Sequence, residues 1–114
     1  MKLPNAGRAV IDIEKLRDYS LNPAHPKGKH KARVFLAALG FTANDAERLC
    51  QLISAAILVE EATEQQPTNY GRRFIVDFQV KWEEKFVVSF VTVRTAWMIR
   101  NDEDFPRLTS CFIP

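Results

Sequence analysis

Cysteine is scarce in this 114-residue sequence, which holds only Cys50 and Cys111, far apart in the chain. Two such thiols build no disulfide framework and read as reduced core thiols of a cytosolic protein, with a single disulfide as the alternative. Histidine is equally sparse, with His25 and His30 alone. Two histidines and two distant cysteines do not supply the three or four ligands of a metal site, so no metal is expected. There is no Gly-x-Gly-x-x-Gly and no P-loop, and hence no expected nucleotide cofactor. No apolar run approaches the roughly 18–20 residues of a membrane span. The segment Met1-Lys2-Leu3-Pro4-Asn5-Ala6-Gly7-Arg8 lacks the apolar core of a secretory signal. The expectation is a cytoplasmic protein, organised as one domain over residues 1–114.

Acidic residues are the next absence, and a local one. None occurs between Tyr19 and Arg33, where Lys27, Lys29, Lys31 and Arg33 follow one another at alternate positions. Residues 1–33 carry eight Lys or Arg against Asp12, Glu14 and Asp18, while residues 34–114 carry eight against eleven acidic groups. The formal net charge of +2 therefore hides a basic first third on a slightly acidic body. That imbalance predicts a local anion site, not a general polyanion coat.

Periodicity orders the chain into helices and then strands. Asp12 caps a helix to about Ser20, with Ile13, Leu16 and Tyr19 on one face. Asn22-Pro23 and His25-Pro26 end it, since a residue before proline is driven to an extended form. A second helix runs from near Gly28 to Leu39, with Ala32, Phe35, Leu36 and Leu39 as its apolar stripe and Gly40 as its left-handed cap. A third starts at Asn44, with Glu47 completing a capping box, and lines up Ala46, Leu49, Cys50, Ile53 and Ile57. Residues 60–71 read as a linker. Beyond it Phe74, Val76, Phe78, Val80 and Trp82 alternate with mostly polar residues, and 86–99 is rich in Val, Phe, Thr and Trp. Residues 101–106 form a turn, and 107–113 a last strand. The pattern predicts an α+β domain in which about three N-terminal helices pack on a C-terminal antiparallel sheet of three to five strands. Phe35, Leu36, Leu49, Ile53, Phe78, Val88 and Phe90 are expected inside. Glu60-Glu61, Glu83-Glu84 and Asp102-Glu103-Asp104 fall in predicted turns and read as solvated loop charges.

The basic stretch is the one chemical feature. A helix starting near Gly28 sets Lys27, His30 and Lys31 roughly together. His25 precedes it, where the N–H groups of a first turn attract anions. On spacing alone, a solvated cationic helix start with an incidental histidine explains these residues better than a binding site does.

The segment Asn22-Pro23-Ala24-His25-Pro26-Lys27-Gly28-Lys29-His30-Lys31-Ala32-Arg33-Val34-Phe35 resembles the N-P-x-H-P-x-G-x-x-K-A-x-x-F signature of a widespread bacterial domain family. Thr95-Ala96-Trp97 is similar to its T-x-W strand. Pro106-Arg107-Leu108-Thr109-Ser110-Cys111-Phe112-Ile113-Pro114 is similar to its terminal P-R-L-V-T-A-Y-P. Similar sequences form the C-terminal toxic ends of polymorphic and contact-dependent inhibition toxins. Those toxin domains look like the ribonuclease superfold of barnase-like, EndoU-like, colicin-like and RelE-like enzymes.

The resemblance implies a toxin-like, metal-independent ribonuclease that cleaves RNA through its 2′-hydroxyl. Its catalytic residues would be His25, Lys31, Thr95 and Ser110, the last standing where the toxin-like sequences carry threonine. His25 would serve as base or acid, and Lys31 would stabilise the transition state. Thr95 and Ser110 would position phosphate oxygens. Lys27, Lys29 and Arg33 would bind RNA, as would Trp97 if it stacks on bases instead of filling the core. The partners implied are RNA and a small acidic inhibitor or antitoxin. The alternative is a non-catalytic binding or interaction domain that keeps the fold and the basic patch.

Overall fold

The computed structural model describes residues 1–114. Helical elements fill the first half and a four-stranded antiparallel sheet the second, which is the α+β order that the periodicity implies. Helix α1 (Ile13–Lys15) begins at Asp12, whose carboxylate accepts from the Glu14 N–H at 3.0 Å. It then widens into a π-turn over Leu16–Ser20.

Helix α2 (Lys29–Leu39) buries Ala32, Phe35 and Leu39 and stops at Gly40, whose φ of 68° is the left-handed cap. Leu36 departs from the expected stripe and stands about half exposed. Helix α3 (Ala46–Val59) follows a short 3-10 turn, Ala43–Asp45. Its cap corrects the expectation of Asn44 and Glu47. Thr42 accepts from the Asn44 N–H at 3.3 Å, and Asp45 accepts from the Thr42 N–H at 2.8 Å. Leu49, Ile53 and Ile57 then face the core.

The sheet is a simple meander of β1 (Ala62–Thr68), β2 (Gly71–Glu84), β3 (Val87–Arg100) and β4 (Arg107–Phe112). Strand β1 lies in the stretch expected as linker. It is an edge strand with one buried residue, Ala62, so it shows no apolar alternation. Phe74, Val76, Phe78 and Val80 of β2, with Val93, Trp97 and Ile99 of β3, turn one face toward the helices. Period-two burial of these side chains against α2 and α3 is the main apolar contribution to stability. The helical layer reaches as far as Trp82, whose ring lies against Gly40. Val88 and Phe90 lie beyond it and are 51% and 66% exposed, correcting the expectation that they are core. Near the other end, Val10 pairs in parallel with Arg107 and covers the outer edge of β4 as far as Leu108.

Candidate anion site at the edge of strand β4

The proline-flanked loop is held by its own polar side chains. Asn22 accepts from the Ala24 N–H through Oδ1 at 2.9 Å and donates to the Asp18 carbonyl through Nδ2 at 3.2 Å. His25 then closes the start of α2. Its Nδ1 accepts from both the Lys27 and the Gly28 N–H groups, each at 3.0 Å. Those amides, expected to be free for an anion, are satisfied internally. A consequence follows for the imidazole. With the Nδ1 lone pair occupied by two donors, the neutral ring carries its proton on Nε2. His25 therefore keeps Nε2–H as a donor not used in the cap.

Gly28 brings the loop onto the π-turn. A Cβ at this position would lie 2.2 Å from the Tyr19 carbonyl oxygen, so only glycine fits the approach. That contact sets Tyr19 between the two halves of the site. Its ring centroid is 4.6 Å from that of His25, and the Lys31 ammonium lies 5.6 Å from the same Tyr19 centroid. Imidazole and ammonium are thus separated by less than the sum of these two distances. Lys31 Nζ donates to Ser110 Oγ at 3.2 Å and lies 5.0 Å from the Phe112 ring centroid, in a cation–π arrangement.

Lys31 and Ser110 line a cavity of about 280 Å³ between the π-turn and β4. Leu16, Leu108 and Cys111 supply apolar wall, and Lys15, Tyr19, Ser20 and Thr109 the rest. No carboxylate lines it. Neither Lys15 nor Lys31 has an ion-pair partner, and the same holds for Lys27, Lys29 and Arg33. Burial pushes the Cys111 thiol up to about 12, against the smaller opposing effect of the Lys31 charge. Cys111 is wall, not nucleophile. No three His, Cys, Asp or Glu side chains gather closely enough to ligate a metal ion.

His25, Lys31 and Ser110 thus meet around Tyr19, with Lys27 and Arg33 exposed and Lys29 half-buried nearby on the loop and α2. Thr95 and Trp97 do not join them, which corrects both assignments. Both are fully buried; Thr95 Oγ1 donates to the Val76 carbonyl at 2.8 Å and accepts from Trp97 Nε1 at 2.8 Å. Its hydroxyl satisfies the indole N–H inside the core and presents nothing at the surface to a ligand. Tyr19 was hidden because its spacing from Leu16 reads as core. The one signal for it was its place at the edge of the acid-free stretch.

The family described as "Domain of unknown function (DUF6883)" matches residues 2–114. No curated protein and no solved structure matches the chain.

Proposed function

The chain belongs to the DUF6883 family, whose description assigns no activity, and from the site we propose that it binds RNA at the Tyr19 cluster and cleaves it without a metal. The observation that carries this reading is the convergence of His25 and Lys31 on one tyrosine ring, with Lys31 tethered to Ser110 at a cavity free of carboxylates. Two donors and an uncompensated positive charge suit a phosphodiester.

In the reaction, the 2′-oxygen forms a bond to phosphorus as the P–O5′ bond breaks, leaving a 2′,3′-cyclic phosphate and a 5′-hydroxyl. The 2′-hydroxyl proton passes to solvent. The Lys31 ammonium delivers a proton to the departing O5′ and is reprotonated from water. His25 holds a non-bridging oxygen through Nε2–H, a role for which its occupied Nδ1 prepares it. Ser110 aims the ammonium. Lys27, Lys29 and Arg33 follow the flanking phosphates, and the cavity has room for one unstacked base.

The same occupied Nδ1 favours a second reading, RNA binding without cleavage, because the cluster contains no carboxylate and no outward imidazole lone pair to take the 2′-hydroxyl proton. One experiment separates the two. Pure protein is incubated with total RNA in EDTA, alongside Lys31→Ala and His25→Ala. Cleavage should leave cyclic phosphate ends and fall by about 10²–10³ in each variant, the usual loss for one removed transition-state donor. Intact RNA with a retained complex selects the binding reading; no complex refutes both.

A small acidic inhibitor would meet the unpaired cations of residues 27–33, with an association rate that falls steeply as salt rises. Co-purification from the native cell, followed by association rates at low and high salt, tests this. A salt-independent rate would remove the electrostatic basis.

A further inference from the structure

The β2–β3 hairpin outruns the rest of the sheet. Strand β1 pairs with β2 only as far as Val76, and β4 pairs with β3 only from Arg94 onward. Residues 77–84 and 87–93 therefore form a two-stranded ribbon with both edges open, and such ribbons are marginal in water on their own.

The two open edges differ. Glu84 pairs with Val87 across the two-residue turn Lys85–Phe86, and both turn residues have positive φ, 46° and 70°. A two-residue turn of this kind makes its flanking pair a hydrogen-bonded one. Counting from it, Asp77, Gln79, Lys81 and Glu83 turn their backbone groups toward the outer edge of β2, and Val88, Phe90 and Thr92 toward that of β3. Three of the four residues on the β2 edge are charged, as solvent-exposed edges are when they resist pairing. The β3 edge, Val87-Val88-Ser89-Phe90-Val91-Thr92-Val93, has no charge, no proline and no glycine. It also exposes apolar side chains, with Phe86 fully exposed and Val87, Val88 and Phe90 each more than half exposed. Phe86 holds a left-handed backbone that costs a non-glycine residue on the order of 1 kcal/mol or more, which adds to the cost of its exposed ring.

We infer that this edge is a self-association surface, on which β3 of a second copy pairs antiparallel about a two-fold axis near Ser89. A strand that fits here must be extended, uncharged and apolar on one face. Strand β3 itself meets that description, whereas β1 carries Glu64 and Pro67, and the outward residues of β2 carry charge. An axis at Ser89 sets Val88 beside the partner copy's Phe90 and Phe90 beside its Val88. It also sets the partner copy's Phe86 opposite Thr92, two positions short of Arg94, where Phe112 pairs. Such pairing would bring Val88 and Phe90 of the two copies into cross-strand contact, while their outer face, shared with Lys81 and Glu83, stays in water. The area removed therefore stays below the roughly 1,200 Å² of a stable interface, so the dimer should come apart on dilution.

Sedimentation of the full chain across micromolar to millimolar concentration gives the test. Wild type should pass from monomer to dimer. Phe90→Glu, whose new carboxylate faces Lys81 across the hairpin and so keeps the monomer folded, should stay monomeric at every concentration. Phe90→Lys should do the same, and an equimolar mixture of the two variants should recover the dimer. Ser89→Cys, placed at the axis, should cross-link on mild oxidation while wild type does not. A wild-type chain that stays monomeric throughout, or a dimer that survives both charge variants, overturns the inference. So does a hairpin that pairs only with a different protein.

Discussion

The cations of the sheet and those of the loop and α2 belong to one small protein yet are treated in opposite ways. On the sheet, Arg72 pairs with Glu64, Lys81 with Glu83, Arg94 with Asp77 and Arg107 with Glu103. Around the cavity, Lys15, Lys27, Lys29, Lys31 and Arg33 have no such partner. Net charge says little about a chain arranged like this. Pairing cancels most of the field over the sheet, where Arg73 is the strand cation left without a carboxylate, so unpaired positive charge is concentrated around the loop and α2. Ion pairing thus separates a largely neutralised face from one whose cations stay unpaired.

The sharpest way to break that contrast is Gly28→Ala. Its φ of −87° suits any residue, so the cost is purely steric: a Cβ 2.2 Å from the Tyr19 carbonyl forces loop and π-turn apart. A loss of about 1–3 kcal/mol of stability is expected, as for overpacking generally. RNA affinity should also fall, although no cation is changed. Denaturant melts and a binding isotherm check both; unchanged affinity would show that Tyr19 does not organise the site.

Thr95→Val should destabilise by about 1–3 kcal/mol, because it leaves the buried Trp97 N–H without an acceptor. RNA binding by the folded fraction should be unchanged, which separates the core hydroxyl from that of Ser110.

Smaller effects should divide by region. Lys29→Ala should lower the slope of log affinity against log salt by roughly one phosphate contact and leave stability alone. Arg94→Ala should lower stability only slightly, since its ion pair with Asp77 lies at the surface, and leave the salt slope unchanged. Titrating both variants with RNA at several salt concentrations tests the pair.

The smallest effect is acid sensitivity. Hydrogen bonds from Arg107 hold the Glu103 carboxyl below its ordinary range, and those from Arg72 do the same for Glu64. Carboxyls with depressed folded values add stability above about pH 4.3, their unfolded value, and lose it as pH falls through the folded one. The melting temperature should therefore decline below that pH, and less steeply in a Glu64→Gln, Glu103→Gln double variant. Equal slopes would show that these exposed pairs add nothing.

Long amphipathic stripes made α2 and α3 readable, and the alternation of Phe74 to Val80 did the same for β2. Strand β1 was not readable, because an edge strand exposed on both faces leaves Ala62–Thr68 without a pattern. The end of the hairpin misled for a related reason. Val88 and Phe90 have strong β-propensity, which says strand but not which part of a strand the helices cover. The resemblance singles out His25, Lys31 and Ser110, and the structure brings the three together around Tyr19. Tyr19 shares its helix face with Ile13 and Leu16, and apolar spacing cannot distinguish a ring lining a cavity from one filling it. Thr95 and Trp97 entered through the T-x-W resemblance, and no strand pattern tells that the hydroxyl and the indole N–H bond to each other inside the core.

The close approach at Gly28 also divides the residues of this region by what the fold asks of them. Asn22 closes the loop, His25 caps α2 through Nδ1 and Gly28 makes room for a carbonyl, so all three are needed merely to fold. The Lys31 ammonium and the Ser110 hydroxyl bond only to each other across the cavity, and neither closes the loop or caps the helix. A change at Asn22, His25 or Gly28 is therefore felt first in stability, whatever the cavity holds.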